Sequence, residues 1–272
     1  MKLKRREVLA GMLLAAASLG GLCACQNTAS PSSTANAEEL PELRIGVDVV
    51  QPFYFIDEGG NPTGLDAEIA QEACQRAGYT PVFVNIPWDE KEDYLKNGTV
   101  DCLWNAFAKD DRENKYSWTI SYMESRLRII VNARTPDQKP EDLEHSGGIA
   151  LRAGSKVEEI ILGSGEPATR IYACGTFEMA RTAFIKGYAS ALAANEAVLQ
   201  QMLDEYPGIY RFLDGELMTV HFGVAFARYN PAQAYQPLNR TLAEMKQDGS
   251  LTAIVQKYTA VDSDAEEGGT HV

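Results

Sequence analysis

The sequence predicts an α/β protein of two lobes, each a mostly parallel sheet flanked by helices. Three observations predict it. Between residues 40 and 260, short β-branched runs alternate with helical patterns, as parallel strands joined by crossover helices require. One phrase recurs, with Lys96-Asn97-Gly98-Thr99-Val100-Asp101-Cys102-Leu103 matched by Lys186-Gly187-Tyr188-Ala189-Ser190-Ala191-Leu192. A chain of 272 residues that is 45% hydrophobic and 9% aromatic can bury a core in each half, which excludes disorder throughout.

The first 25 residues read as an export address. Lys2, Lys4, Arg5 and Arg6 form a basic start, Val8 to Leu22 a short apolar middle, and Leu22-Cys23-Ala24-Cys25 a small-residue exit. The apolar stretch falls short of the roughly 20 residues a spanning helix needs. The exit resembles the bacterial lipobox, which implies a signal peptide over 1–24 and a lipidated Cys25. Cys23 fits less well, with Leu22 before it, and an ordinary cleaved signal with an incidental cysteine is the plainer alternative. Arg5-Arg6 serves equally as a twin-arginine signal or a plain basic region. Residues 25–39, rich in Ser, Thr, Asn and Ala, read as a flexible tether, and 262–272 as a disordered acidic tail.

The formal charge is -13, and cleavage before Cys25 leaves 21 cationic against 37 acidic residues, or -16. No Lys or Arg run follows residue 6, so nucleic acid is excluded as a partner. Cys74, Cys102 and Cys174 allow at most one internal disulfide, and with His145, His221 and His271 scattered they offer no metal-binding spacing.

In chain order, Leu43 to Val47 is a strand. Leu65, Ile69 and Ala73 recur at helical spacing and Gly78 stops them, which predicts a helix over 66–77. Val82 to Ile86 is a strand, and Asp89 with Glu92 resembles a capping box for a helix ending near Asn97-Gly98. Val100 to Trp104 is a buried strand. Ile149 to Leu151 is the next, Thr176 opens a helix stopping at Lys186-Gly187, and Ala189 to Ala193 is a strand leading to a helix from Asn195. Ligands of open α/β sheets bind beyond the carboxyl ends of the strands. The residues there are Asp48, Gln51 and Phe53; Trp88; Asn105, Ala106 and Arg112; Arg152, Gly154 and Ser155; and Asn195 and Glu196.

With these parts in this order, residues 43–260 resemble the extracellular solute-binding proteins of family 3, the amino-acid receptors of ABC importers. The matching phrases are LRIGVD at 43–48, PTGLDAEIAQEACQRAG at 62–78, VFVNIPWDE at 82–90, LKNGTVDCLW at 95–104, the Arg112 loop, ALRAGS at 150–155 and LAEMKQDGSLTAIVQKY at 242–258. The resemblance implies a two-lobed, type II periplasmic-binding-protein-like fold with lobe 1 over 40–131 and 221–261 and lobe 2 over 132–220. Its two hinge crossings would lie near Val131-Asn132 and Val220-His221. It further implies a monomeric extracytoplasmic receptor, anchored to the cell membrane through Cys25, that closes on a polar amino acid or close derivative and delivers it to an ABC transporter permease. No cofactor is expected. Two other readings stay open: a dehydratase of cyclohexadienyl acids using Glu196 or Asp48 as general acid, and a sensory module without transport. Against the sensor stands the absence of a following membrane span, since the chain ends at Val272.

The resemblance places Arg112 where the family's arginine grips the ligand carboxylate with a planar two-pronged fork. The plain alternative is a surface arginine among Lys109, Asp110, Asp111 and Glu113. Ser155, with Glu158 three residues on, would hold the same carboxylate from the other lobe, cap its own helix, or both. Trp88 matches the stacking position, and Phe53 or Gln51 replaces the facing aromatic; Trp88 and Phe53 could instead be core. Asp48 matches an acid that meets polar ligand side chains, or else caps a turn. Where the family carries an aspartate for the ligand ammonium this chain has Asn195. Glu196 or Asp48 could serve in its place, Asn195 could be only a helix cap, or the ligand is not an ordinary α-amino acid.

Overall fold

The computed structural model describes residues 39–145, 147–165 and 170–259, and these described residues form one compact unit. The signal, the tether, Cys25 and the acidic tail lie outside the described residues. The first half runs β1 (Glu42–Val47), β2 (Phe55–Ile56), β3 (Pro62–Thr63), α1 (Leu65–Ala77), β4 (Thr80–Asn85), α2 (Lys91–Lys96), β5 (Cys102–Leu103), β6 (Tyr116–Trp118) and β7 (Met123–Asn132). There follow β8 (Ile149–Arg152), α3 (Lys156–Gly163), β9 (Ile171–Cys174), α4 (Phe177–Ile185), β10 (Ala191–Asn195), α5 (Glu196–Glu205), β11 (Tyr210–Phe212), β12 (Met218–Phe222), β13 (Ala225–Ala227), α6 (Tyr235–Asp248) and α7 (Ser250–Thr259).

These strands make two main sheets. The first has the order β4-β1-β5-β13-β6; the second has β11-β7-β10-β8-β9, with β12 also paired to β7. Pairing is parallel for β1 with β4 and β5, and for β8 with β9 and β10. It is antiparallel where β13 and β7 join, because those strands adjoin the segments that carry the chain from one sheet to the other. The alternation of side chains along a strand explains the layering around β1. Leu43, Ile45 and Val47 face the core that includes α1 and α6, while a Cβ at Gly46 would point at Ile86, Val100 and Leu103, the smaller core beneath α2.

The first crossing falls earlier than Val131-Asn132. All of β7 belongs to the second sheet, so the chain leaves the first sheet after Trp118 and enters the second at Met123. A run of ten residues with a buried middle satisfies its backbone by pairing, and β10, β11 and β12 supply that pairing along its length. The return crossing lies between Phe222 and Ala225, just past the expected place. The two crossings run side by side: Thr119 N–H donates to Val224 O at 3.1 Å, Val224 N–H to Thr119 Oγ1 at 3.0 Å, and Tyr122 N–H to Phe222 O at 3.0 Å.

Two local expectations also change. The helix expected from Asp89 begins at Lys91, after a 3-10 turn over Trp88–Glu90, with no side-chain cap. Glu92 makes no capping box because its carboxylate accepts from Tyr116 Oη at 2.9 Å. The strand expected over 100–104 is regular only at Cys102 and Leu103, flanked by single bonds to β1 from Asp101 N–H to Arg44 O (2.8 Å) and from Trp104 N–H to Gly46 O (3.1 Å), and the Asp101 carboxylate accepts from the backbone and guanidinium of Arg44. Cys74, Cys102 and Cys174 are all free thiols.

Asp66, in the first turn of α1, is fully buried and accepts from Tyr122 Oη (2.8 Å) and from the N–H of Ala106. Burial pushes its pKa up to about 7 against the pull of those two bonds. An unfolded aspartate titrates near 4, so between about pH 4 and 7 the native chain holds a proton that the unfolded chain has released. This contribution to stability is complete below about pH 4 and is lost as pH rises through 7. The stability of the wild type minus that of Asp66→Asn, measured by urea unfolding, should fall by about 1 kcal/mol per pH unit at its steepest between pH 5 and 7. A flat difference would refute the assignment.

Candidate functional site

Where the two sheets face one another a small cavity of about 70 Å³ opens. The first lobe contributes Phe53, Trp88, Asn105, Ala106, Phe107 and Arg112 to its wall; the second contributes Arg152, Ser155, Lys156, Val157, Phe177 and Asn195. Eight of the residues singled out from the sequence therefore share one space, drawn from both lobes, as the strand-end rule anticipates.

Arg112 is 3% exposed and its fork is engaged from across the gap. Nη2 lies 2.7 Å from Glu159 Oε1 and Nε lies 3.1 and 3.2 Å from the two carboxylate oxygens, while Nη1 donates to Ala108 O. Glu159 stands in the first turn of α3 and is also reached by Lys156 Nζ at 3.5 Å. Burial works to raise the pKa of Glu159, but the bonds and charge of Arg112, with Lys156 and Lys115, hold it below its usual value. A second ion pair runs the opposite way: Arg152 Nη1 meets Asp48 Oδ2 at 3.1 Å. Burial raises the Asp48 pKa despite that partner, and burial likewise lowers that of Arg152.

Helix α3 begins at the cavity wall. Ser155 caps it by accepting from Glu158 N–H, and Glu158 Oε2 in turn accepts from Gly154 N–H at 2.7 Å, a reciprocal arrangement close to a capping box. Gly154 does not line the cavity. It has φ +68, and an added Cβ would lie 2.8 Å from Asp89 Cα and 3.1 Å from Trp88 O. Its carbonyl accepts from Lys91 Nζ at 2.9 Å. Burial, then the nearby charges of Arg112 and Arg152, lowers the Lys91 pKa to about 8.

Other residues fall differently from the sequence expectation. Trp88 is buried edge-on to Phe107 and carries the Arg152 guanidinium 4.8 Å from its ring centre, so its cationic neighbour is already in the chain. Phe53 packs edge-on to Phe222 at 5.6 Å. Gln51 is exposed and off the wall, because the turn closed by Phe53 N–H to Val50 O directs Phe53 inward and leaves Gln51 outside. Asp48 is off the wall too. Glu196 does not line the cavity, and its carboxylate is clasped by Arg126 and Arg128 at 2.7 to 3.0 Å. Asn195 does line the cavity, yet it is a helix cap, with Oδ1 accepting from Ala197 N–H and Nδ2 donating to Ser125 Oγ at 2.9 Å. Asn105 is the opposite case. It is 0% exposed, and neither its Oδ1 nor its Nδ2 has a partner among the described residues.

Sequence reasoning missed Glu159, Lys156 and Lys91. The signal for Glu159 was present, one residue past Glu158 and on the turn that faces Arg112, but local capping rules single out only Glu158. Among the described residues no cluster of three or more His, Cys, Asp or Glu side chains could hold a metal.

The model of the bacterial extracellular solute-binding proteins, family 3, matches residues 43–261, most of the chain. The chain belongs to this family. Among its relatives are the L-cystine-binding protein TcyA of Bacillus subtilis, 27% identical over 81% of this chain and 82% of that protein. Another is the histidine-binding periplasmic protein of Salmonella typhimurium, 26% identical over 85% of this chain and 93% of that one. Of solved structures, the arginine-, lysine-, histidine-binding protein ArtJ from Geobacillus stearothermophilus superposes with a TM-score of 0.74 at 19% identity, covering 81% of this chain and 96% of its own. In this family member, then, the type II two-lobed frame surrounds a cavity whose wall carries a buried arginine, Arg112, and a half-buried one, Arg152.

Because a Cβ at 154 meets backbone of the other lobe, Gly154→Ala should stay folded but hold the lobes apart. Small-angle scattering should give a larger radius of gyration than for the wild type; an identical one would show that the contact yields.

Proposed function

We propose that this chain is the extracytoplasmic receptor of an ABC importer. It takes up a small carboxylate-bearing solute, an amino acid or close derivative, in the cavity between its lobes, and closure of the lobes presents the loaded form to a membrane permease. The observation that carries this reading is Arg112, a guanidinium buried at the wall opposite the start of α3. A ligand carboxylate placed there would meet a charge-assisted fork from one lobe and the Ser155 hydroxyl with helix amides from the other. Contacts made to both lobes exist only in the closed form, so binding and closure share one free energy. Glu159 marks the place. Its side chain is 41% exposed, so it can swing to solvent and yield the fork to the incoming acid. The names of the relatives, for cystine and histidine, support a ligand of this class.

The receptor binds and releases without turnover, as a monomer held to the membrane by lipid on Cys25. Among the described residues its cavity wall carries no acid for the general-acid step a dehydratase needs.

Calorimetry should show that Arg112→Ala weakens ligand binding by more than about a hundredfold, since stripping one partner from a buried charge pair costs roughly 3–5 kcal/mol. Unchanged affinity would remove Arg112 from the site. Because Glu159 and the ligand compete for one fork, Glu159→Gln should tighten binding severalfold; weaker binding would mean that Glu159 helps to hold the ligand. Cys25→Ser should move the protein from the membrane fraction to the soluble one, and a protein that stays on the membrane would contradict the anchor.

A further inference from the structure

The receptor reading leaves the ligand class open, and the cavity wall narrows it. Resting on that reading, we propose that the ligand is a carboxylate without an ammonium group, a 2-oxo or 2-hydroxy acid with a short apolar side chain, in preference to the matching α-amino acid.

The first observation is the charge of the wall. Its charged residues are Arg112, Arg152 and Lys156, and no Asp or Glu lines it among the described residues. The nearby acids are not at hand for an ammonium: Asp48 is held by Arg152 and Glu196 by Arg126 and Arg128, and Glu159, which does not line the wall, swings to solvent when it yields the fork. An ammonium entering this cavity would leave water for a field set by cations and find no anion to meet it, and an unpaired buried charge is costly. A carboxylate alone fits that field.

The second observation is independent of charge. Asn105 is fully buried, lines the cavity, and among the described residues neither its amide oxygen nor its amide nitrogen is bonded. A buried amide without partners is unfavourable, and two donors with one acceptor oxygen suit a neutral polar atom. A 2-oxo oxygen accepts from Nδ2, and a 2-hydroxyl both accepts from Nδ2 and donates to Oδ1. An ammonium can use only Oδ1 and leaves Nδ2 facing a cation. Asn195, the other amide on the wall, offers no remedy, since its oxygen caps α5 and its nitrogen bonds Ser125.

Size and polarity complete the class. The rest of the wall includes Phe53, Leu127, Val157, Phe177, Val198 and Phe222, with nothing polar among them to pair with a charged side chain. At about 70 Å³ the space exceeds the ~10–15 Å³ that one water requires and suits a short tail.

The test is calorimetry on the full-length protein in detergent against matched series: L-alanine, pyruvate and L-lactate; and L-valine, 2-oxoisovalerate and 2-hydroxyisovalerate. In at least one series the oxo or hydroxy acid should bind at least about tenfold tighter than the amino acid. A ratio below ten in every series that binds overturns this proposal and leaves the receptor reading intact. Binding by no member of any series overturns this proposal, and the receptor reading falls with it only if L-histidine and L-cystine, titrated alongside, also fail to bind. Asn195→Asp keeps an oxygen for the helix cap and puts a carboxylate on the wall, so in the folded variant the same ratio should drop at least about tenfold. An unchanged ratio would overturn the wall-charge argument.

Discussion

Two guanidiniums cross the gap between the lobes in opposite directions, and the closed arrangement depends on both. Arg112 reaches from the first lobe to Glu159 in the second, and Arg152 reaches from the second to Asp48 in the first. A charge taken from water must be met by a partner or it shifts the balance toward opening. Here each partner sits on the other lobe, so neither arginine can be buried and satisfied unless the sheets stand together as they do. Lys156 with Asp111 (2.9 Å) and Lys91 with the Gly154 carbonyl add two more links of the same kind.

The frame confines movement to two short adjacent segments. Within each lobe the sheet bonds and the helices over them make a stiff body, and among the described residues only 119–122 and 223–224 pass between. Those segments bond to each other through Thr119, Tyr122, Phe222 and Val224, so a rotation there need not break either sheet. Asp66 ties this region to the cavity, since one carboxylate bonds Tyr122 at the crossing and Ala106 at the wall.

Much of the fold was legible because it follows from local rules. The alternation in β1, the helix between Leu65 and Gly78, and the caps at Ser155, Thr176 and Asn195 are written in a few neighbouring residues, and the structure places them there. Short strands with antiparallel partners, such as β6 and β13, carry too few residues for a pattern. The limits of β7 depend on which distant strands pair with it.

The site divides along the same line. Sequence by itself determined which residue types stand at the strand ends, and so that Phe53, Trp88, Asn105, Arg112, Arg152, Ser155 and Asn195 would come near one space. Only the tertiary structure decided which of them remain available. It gave the Trp88 face to Arg152, the Glu196 carboxylate to Arg126 and Arg128, the Asn195 amide to Ser125, and left Asn105 without a partner among the described residues. The reason is range: capping and periodicity act within a few residues, whereas charge pairs and buried amides are settled by whichever group, up to a hundred or so positions away, is brought within about 3 Å.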